Sequence, residues 1–190
     1  EALGCLPLLE VLDLSWNSGV GGGALGLLGK LQPSVMELHL VACQLTAADA
    51  ASLGGLVAVL PKLSLLDVSC NPQLTQEVDT GGFRELSSCL SHAVSLTALR
   101  LQACGLTPDS LEDLGGLLCC LPSVRELDLS CNKHLSGGLN RLTPHLAHVT
   151  HLEILDLHLC RLSLADLEAL SESLRDVRLK RSRFLQGEVM

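Results

Sequence analysis

The spacing of apolar residues constrains this 190-residue chain more than any other feature. The template L-x-x-L-x-L-x-x-N/C fits it six times. The copies are Leu9-Leu12-Leu14-Asn17, Val35-Leu38-Leu40-Cys43, Leu63-Leu66-Val68-Asn71, Leu96-Leu99-Leu101-Cys104, Val124-Leu127-Leu129-Asn132 and Leu152-Leu155-Leu157-Cys160. A degenerate seventh reads Leu174-Val177-Leu179-Ser182, and successive copies start 26, 28, 33, 28, 28 and 22 residues apart. A near-constant period of this length is the mark of stacked repeats, each one supersecondary unit that buries its apolar face only against its neighbours.

Within each copy, x-Leu-x-Leu-x alternates, so the leucines enter a core and the x residues face out from a strand. The ninth residue falls where the chain leaves the strand. An Asn or Cys there can satisfy backbone groups that would otherwise be buried unpaired. The residues that follow read as helix. Thr46-x-x-Asp49 and Ser163-x-x-Asp166 have the form of capping boxes with Asp in place of Glu. Thr107-Pro108 sets Pro at the first helical position after a Thr cap. Leu53, Leu56 and Leu60, and Leu111, Leu114, Leu118 and Leu121, mark one buried helix face each. One strand and one helix per repeat predict a curved α/β solenoid, with a parallel sheet on its concave side and helices on its convex side.

The turn residue alternates Asn, Cys, Asn, Cys, Asn, Cys along the chain. Asn copies read LDLSWN, LDVSCN and LDLSCN, and each is followed by a Gly pair: Gly22-Gly23, Gly81-Gly82 and Gly137-Gly138. Cys copies continue CQLT, CGLT and CRLS. This alternation resembles the ribonuclease-inhibitor-like class of leucine-rich repeats over essentially the whole chain. The resemblance implies an α/β horseshoe. Relatives of that class include inhibitors that bind basic enzymes, nucleotide-binding innate sensors with C-terminal sensing or autoinhibitory repeats, and activators of a small nuclear-transport GTPase. The acidic tail of those activators is missing here.

Composition agrees. The 48 leucines make up about 25% of the chain, while aromatic residues are only 2%. Repeated narrow slots in a solenoid suit leucine, and the lack of aromatic platforms argues against base-stacking nucleic-acid binding. Residues 1–174 carry 8 basic and 19 acidic groups, and such a body repels duplex phosphates. Residues 175–190 carry 5 basic and 2 acidic groups, including Lys180-Arg181-Ser182-Arg183, read as a solvated basic terminus or an anion patch. No apolar stretch is long enough to span a bilayer. The nine cysteines include no C-x-x-C, and no Asn-x-Ser/Thr sequon occurs, which predicts an intracellular, cytoplasmic or nuclear, setting.

The expected organisation is repeats over 1–173, with six strands near 11–15, 37–41, 65–69, 98–102, 126–130 and 154–158, and a closing repeat with a basic tail over 174–190. Cys5-Leu6-Pro7 aligns with the helix end of a Cys-type repeat, so further repeats are expected before Glu1. From Asn to the Gly pair is 5 residues in two copies but 10 after Asn71, which makes Gln76 to Thr80 an acidic insertion, either a tolerated bulge or a contact loop.

One outward row is Asp13, His39, Asp67, Arg100, Asp128, Asp156 and Arg178; its neighbour is Val11, Glu37, Leu65, Ala98, Glu126, Ile154 and Asp176. The first row reads either as a charged strip for a protein partner or as a ladder of mutually satisfied charges. The second suits a mixed protein interface. The position before the turn holds Trp16, Ala42, Cys70, Ala103, Cys131 and Leu159, and Trp16 is the best single contact residue if exposed. His39 and His158 lie four strands apart, about 19 Å, too far to share chemistry. Cys43, Cys104 and Cys160 read as small buried groups. Cys70 and Cys131 are about 10 Å apart by strand spacing, too far for a disulfide. His145, His148 and His151 lack a fourth metal ligand nearby.

The candidate partner-binding residues are Trp16, Asp13, Glu37, His39, Asp67, Arg100, Glu126, Asp128, Asp156 and His158. The expected function is non-catalytic binding of a protein partner. The alternatives are an inhibitor of an enzyme with a basic surface, or the sensing repeat region of an innate immune receptor. No catalytic residue, cofactor, metal, nucleic acid, membrane or small-molecule substrate is expected.

Overall fold

A computed structural model describes residues 8–30, 33–76, 82–175, 177 and 179–184. Seven short strands form one parallel sheet in chain order: β1 Val11–Asp13, β2 Glu37–His39, β3 Leu65–Asp67, β4 Ala98–Arg100, β5 Glu126–Asp128, β6 Ile154–Asp156 and β7 Arg181–Arg183. The return segments carry α1 Ala47–Ala58, α2 Gly82–Leu90, α3 Pro108–Leu118, α4 Thr143–Leu146 and α5 Leu164–Ser173. Tight 3-10 turns lie at Ala24–Lys30, Pro72–Thr75 and Leu139–Arg141, all in Asn-type repeats. Each strand is only three residues long, but the ladder continues one step beyond it. Trp16, Ala42, Cys70, Ala103 and Cys131 all donate their N–H to the carbonyl of the next repeat.

The repeat period fixes the register. Leu12, Leu38, Leu66, Leu99, Leu127 and Leu155 are mutual partners across the sheet. Five of them are fully buried, and Leu12 in the first strand keeps 8% exposure. The second leucine-column residues Leu40, Val68, Leu101, Leu129 and Leu157 are buried behind them. Truncating one such leucine to Ala costs about 2–5 kcal/mol.

The last strand departs from expectation. The Leu174-Val177-Leu179 copy does not supply it. Instead Ile154 pairs with Arg181 and Asp156 with Arg183, so these arginines hold the rows assigned by spacing to Asp176 and Arg178, which lie outside the described residues. Helix α5 runs to Ser173, and Leu174 and Val177 are taken up in the turn after it. The chain reaches Glu153 only at Lys180 and Arg181, whose N–H groups both donate to its carbonyl. Residues 77–80 of the insertion and Cys5-Leu6-Pro7 also lie outside the described residues.

The turn asparagines fasten neighbouring repeats. Asn71 donates from Nδ2 to the carbonyls of Leu40, Val68 and Ser69, and its Oδ1 accepts the N–H of Cys43 and of Leu45. Asn132 donates to Leu101, Leu129 and Ser130 and accepts from Leu106. In Cys-type repeats the thiol does the smaller job of donating S–H to one carbonyl of the preceding repeat: Cys43 to Leu14, Cys104 to Val68 and Cys160 to Leu129. Burial pushes the Cys104 and Cys160 thiols up to about 12, so they stay protonated donors.

Candidate functional site

The concave face is built by the outward positions of β1 to β7. In register, one row runs Asp13, His39, Asp67, Arg100, Asp128, Asp156, Arg183, and the next runs Val11, Glu37, Leu65, Ala98, Glu126, Ile154, Arg181. Between β3 and β7 they enclose a shallow trough of about 470 Å³ whose charged lining includes Asp67, Arg100, Glu126, Asp128, Asp156 and Arg183.

Four of the aspartates have a local task that spacing alone does not reveal. Each accepts the N–H two residues on: Asp13 from Ser15, Asp67 from Ser69, Asp128 from Ser130 and Asp156 from His158. Asp-x-Ser, present in the first three, was the available signal, since a short carboxylate bonding two residues ahead bends the chain out of the strand. For Asp13, these bonds from Ser15 hold the carboxyl below its ordinary range, with His39 adding to the effect.

The strip is partly self-satisfied. Arg100 sits centrally, its Nε 2.7 Å from Glu126 Oε1 and its Nη1 3.7 Å from Asp67 Oδ2. The Glu126 hydrogen bond is the main reason the Arg100 guanidinium titrates above its ordinary value. His39 Nε2 lies 3.4 Å from Glu37 within its own strand. Asp156 takes His158 Nδ1 at 2.6 Å and Arg183 at 3.7 Å. Asp13 and Asp128 have no basic side chain within 4 Å among the described residues. The structure thus joins Asp67, Arg100 and Glu126 into one network, and His158 with Asp156 into another. It keeps Asp13 and Trp16 apart from both.

Trp16 is 78% exposed and shares the first coil with exposed Leu8 and Val11. Its whole row adopts a left-handed backbone: Trp16, Ala42, Cys70, Ala103, Cys131 and Leu159 have φ between 52° and 67°. That conformation costs an L-residue roughly 1 kcal/mol, and in Trp16, Ala42, Cys70, Ala103 and Cys131 the ladder bond made from the same N–H helps hold it. No glycine marks this row, so residue type alone does not reveal its left-handed backbone.

The eight described cysteines are all free thiols. His145 Nδ1 lies 3.4 Å from Cys119 Sγ on the convex side. Among the described residues, no helix is long and apolar enough to cross a membrane.

A single parallel sheet in chain order, leucine columns inside and Asn or Cys at the exit turns of β1 to β6 define a leucine-rich repeat horseshoe. Comparison with known proteins sharpens the class. Over 151 residues the chain is 37% identical to the ribonuclease inhibitor of Sus scrofa, covering 77% of this chain and 32% of that protein. The mouse (Mus musculus) ribonuclease inhibitor is 32% identical over 74% of the chain and 31% of its own length. NACHT, LRR and PYD domains-containing protein 12 of Homo sapiens is 34% identical over 86% of the chain and 15% of its own length. No protein-family model matches. The chain is a stretch of ribonuclease-inhibitor-like leucine-rich repeats, spanning a third or less of the length of these relatives.

Proposed function

We propose that this horseshoe is a non-catalytic binding module that takes the basic surface of a protein partner on its concave face. The carrying observation is the charge on that face. Over β1 to β6 the two central rows present Asp13, Glu37, Asp67, Glu126, Asp128 and Asp156 against the single arginine Arg100. The acidic strip supplies steering and register. Trp16, exposed at the N-terminal end of the strip, supplies the one large apolar anchor. The relatives named ribonuclease inhibitor support the idea that repeats of this kind bind an enzyme. The NACHT, LRR and PYD proteins, one of them matched over 86% of the chain, support a second role as the sensing repeat region of a larger receptor. The free thiols favour a reducing, intracellular compartment for either.

A ribonuclease with a basic surface is the probe. Binding measured by calorimetry should weaken steeply between low and physiological salt, and Asp128→Lys and Trp16→Ala should each weaken it about tenfold or more. Salt-independent binding, or binding untouched by Asp128→Lys, would overturn the concave-face reading. Absence of binding to this probe with retained binding to an upstream domain of a receptor-type relative would favour the second role.

A further inference from the structure

Two thiols occupy the same column of the sheet exit and differ in what faces them. Cys70 and Cys131 are both half-buried, both have φ of 60°, and both donate their N–H to the next repeat, to Gln102 and His158 respectively. Around Cys131 alone, functional groups converge. His158 Nε2 lies 3.9 Å from its sulfur, and His158 Nδ1 lies 2.6 Å from Asp156 Oδ1. From the preceding repeat, Gln102 Nε2 donates to the same sulfur at 3.5 Å. The Asp156 contact keeps the proton on Nδ1 and leaves the Nε2 lone pair facing the thiol, the order of roles that activates a nucleophile: thiol, base, and a carboxylate orienting the base.

We propose that Cys131 is a covalent modification site for small α,β-unsaturated carbonyl compounds, with His158 as its general base. The thiol proton passes from Sγ to His158 Nε2 as Sγ bonds to the β-carbon. The C=C electron pair moves to the α-carbon, which takes up a proton delivered from His158 or water. No leaving group and no oxidant are involved. The Gln102 amide stabilises charge developing on sulfur. Besides the pair itself, the charged groups around it are Asp128 on β5, Asp156 on β6 and Arg183 on β7, the last 3.7 Å from Asp156.

Among the described residues, the other half-exposed or exposed thiols lack this arrangement. Cys70 has no imidazole beside it among the described residues, and burial together with Asp67 raises its pKa. Cys119 does meet His145 at the C-terminus of α3, but no carboxylate orients that ring among the described residues. Cys43, Cys104 and Cys160 are buried.

The test uses the whole chain, acrylamide as the electrophile, and mass spectrometry to follow each cysteine separately. At pH 7, Cys131 should react about tenfold or more faster than Cys70. Between pH 7 and 8 the Cys131 rate should rise less steeply than that of Cys70, because its proton passes to His158 during attack, whereas Cys70 should speed up about tenfold with its thiolate fraction. His158→Gln should bring Cys131 to within about twofold of Cys70 and restore the ordinary slope. Unlabelled Cys104 and Cys160 report that the variant is folded. If they become labelled, Asp156→Asn, which keeps the side chain's size and weakens its hold on the His158 ring, takes its place and should slow Cys131 selectively. Equal rates at Cys70 and Cys131 in the unmutated protein, or a Cys131 rate and slope unchanged by either folded variant, would overturn the proposal.

Discussion

The junctions between Asn-type and Cys-type repeats are built in two ways. At two of them an aspartate three residues into the helix clamps the preceding repeat. Asp49 accepts the N–H and hydroxyl of its cap Thr46, both at 2.9 Å, and reaches back to the N–H groups of Gly22 and Gly23. Asp166 does the same with Ser163, Gly137 and Leu139. At the third junction Ser110 holds that position, and its side chain bonds only within its own cap, to Thr107. Thr75 fastens this junction instead, its hydroxyl lying 2.9 Å from the carbonyl of Cys104 and 2.8 Å from that of Gly105. Beside it, α2 and α3 part around a groove of about 980 Å³ lined by Phe83, Arg84, Ser87 and Asp113 among others. Ser87 Oγ there is buried with no hydrogen-bond partner among the described residues, and burial raises the pKa of the Asp113 carboxyl despite Arg84 at 3.7 Å. The same junction carries the ten-residue path from Asn71 to its Gly pair. A solenoid thus keeps its period where a carboxylate spans two repeats, and tolerates an insertion where a serine takes its place.

The sharpest way to break this contrast is to remove a clamp. Asp166→Ala leaves the N–H groups of Gly137 and Leu139 without their acceptor. It should lower unfolding stability by about 3 kcal/mol in urea titration, since bonds to a charged group contribute about 1.5–3 kcal/mol. Ser110→Ala should cost about 1 kcal/mol or less, the value of an ordinary cap. Equal losses would show that the clamp is not what separates the junctions. Acid provides an independent check. Burial acts to raise the pKa of Asp49 and of Asp166, but the bonds from cap and glycine N–H groups outweigh it, and both sit below the ordinary carboxylate range. A depressed folded pKa gives stability that is fully present above the unfolded value, about 3.9, and lost as pH falls through the folded value. Native protein should therefore lose stability as pH falls below about 4, and an Asp49→Asn/Asp166→Asn variant should lose less there.

How far the sequence revealed this differs by scale. The leucine spacing located β1 to β6 and their register, because a fixed period leaves one solution once the leucines must face inward. The two Asp capping boxes were also visible within their own helices. Their reach to a glycine N–H 26 to 29 residues earlier was not, although the Gly pair occupied a matching column. At the C-terminal end, Leu174, Val177 and Leu179 imitated the strand pattern, while the residues that pair with β6 are Arg181, Ser182 and Arg183. Edge pairing needs only backbone groups, so no apolar signal marked it. On the concave face the row of charges was legible, but the division of labour was not. Asp67 and Asp156 bend their own chains as well as pairing with cations, and His158 lies beside Cys131 only because the following repeat places it there.

At the open junction, Gly105 sharpens the comparison through backbone space. Its φ is +72°, and a Cβ built on it would lie 2.8 Å from the carbonyl oxygen of Pro72. Gly105→Ala should cost about 2 kcal/mol, roughly 1 from the left-handed backbone and the remainder from displacing the Pro72 turn. A loss near 1 kcal/mol would mean that the turn yields freely, as an unclamped junction permits.

The smallest expected effect runs in the opposite direction. Gln44 and Arg161 occupy the Gly105 column in the two clamped Cys-type repeats, with φ of 58° and 55°. Each bears the left-handed cost with a side chain attached, because the clamp behind it fixes where the helix begins. Arg161→Gly removes that cost, while glycine's greater freedom in the unfolded chain offsets part of the gain. The net effect should be a stabilisation of about 0.5 kcal/mol, read as a small rise in the urea midpoint at unchanged slope. In an Asp166→Ala background the strain can relax without the substitution, so the gain should shrink toward zero. A gain that persists undiminished would mean that the turn conformation is set by the strand exit alone, independently of the clamp.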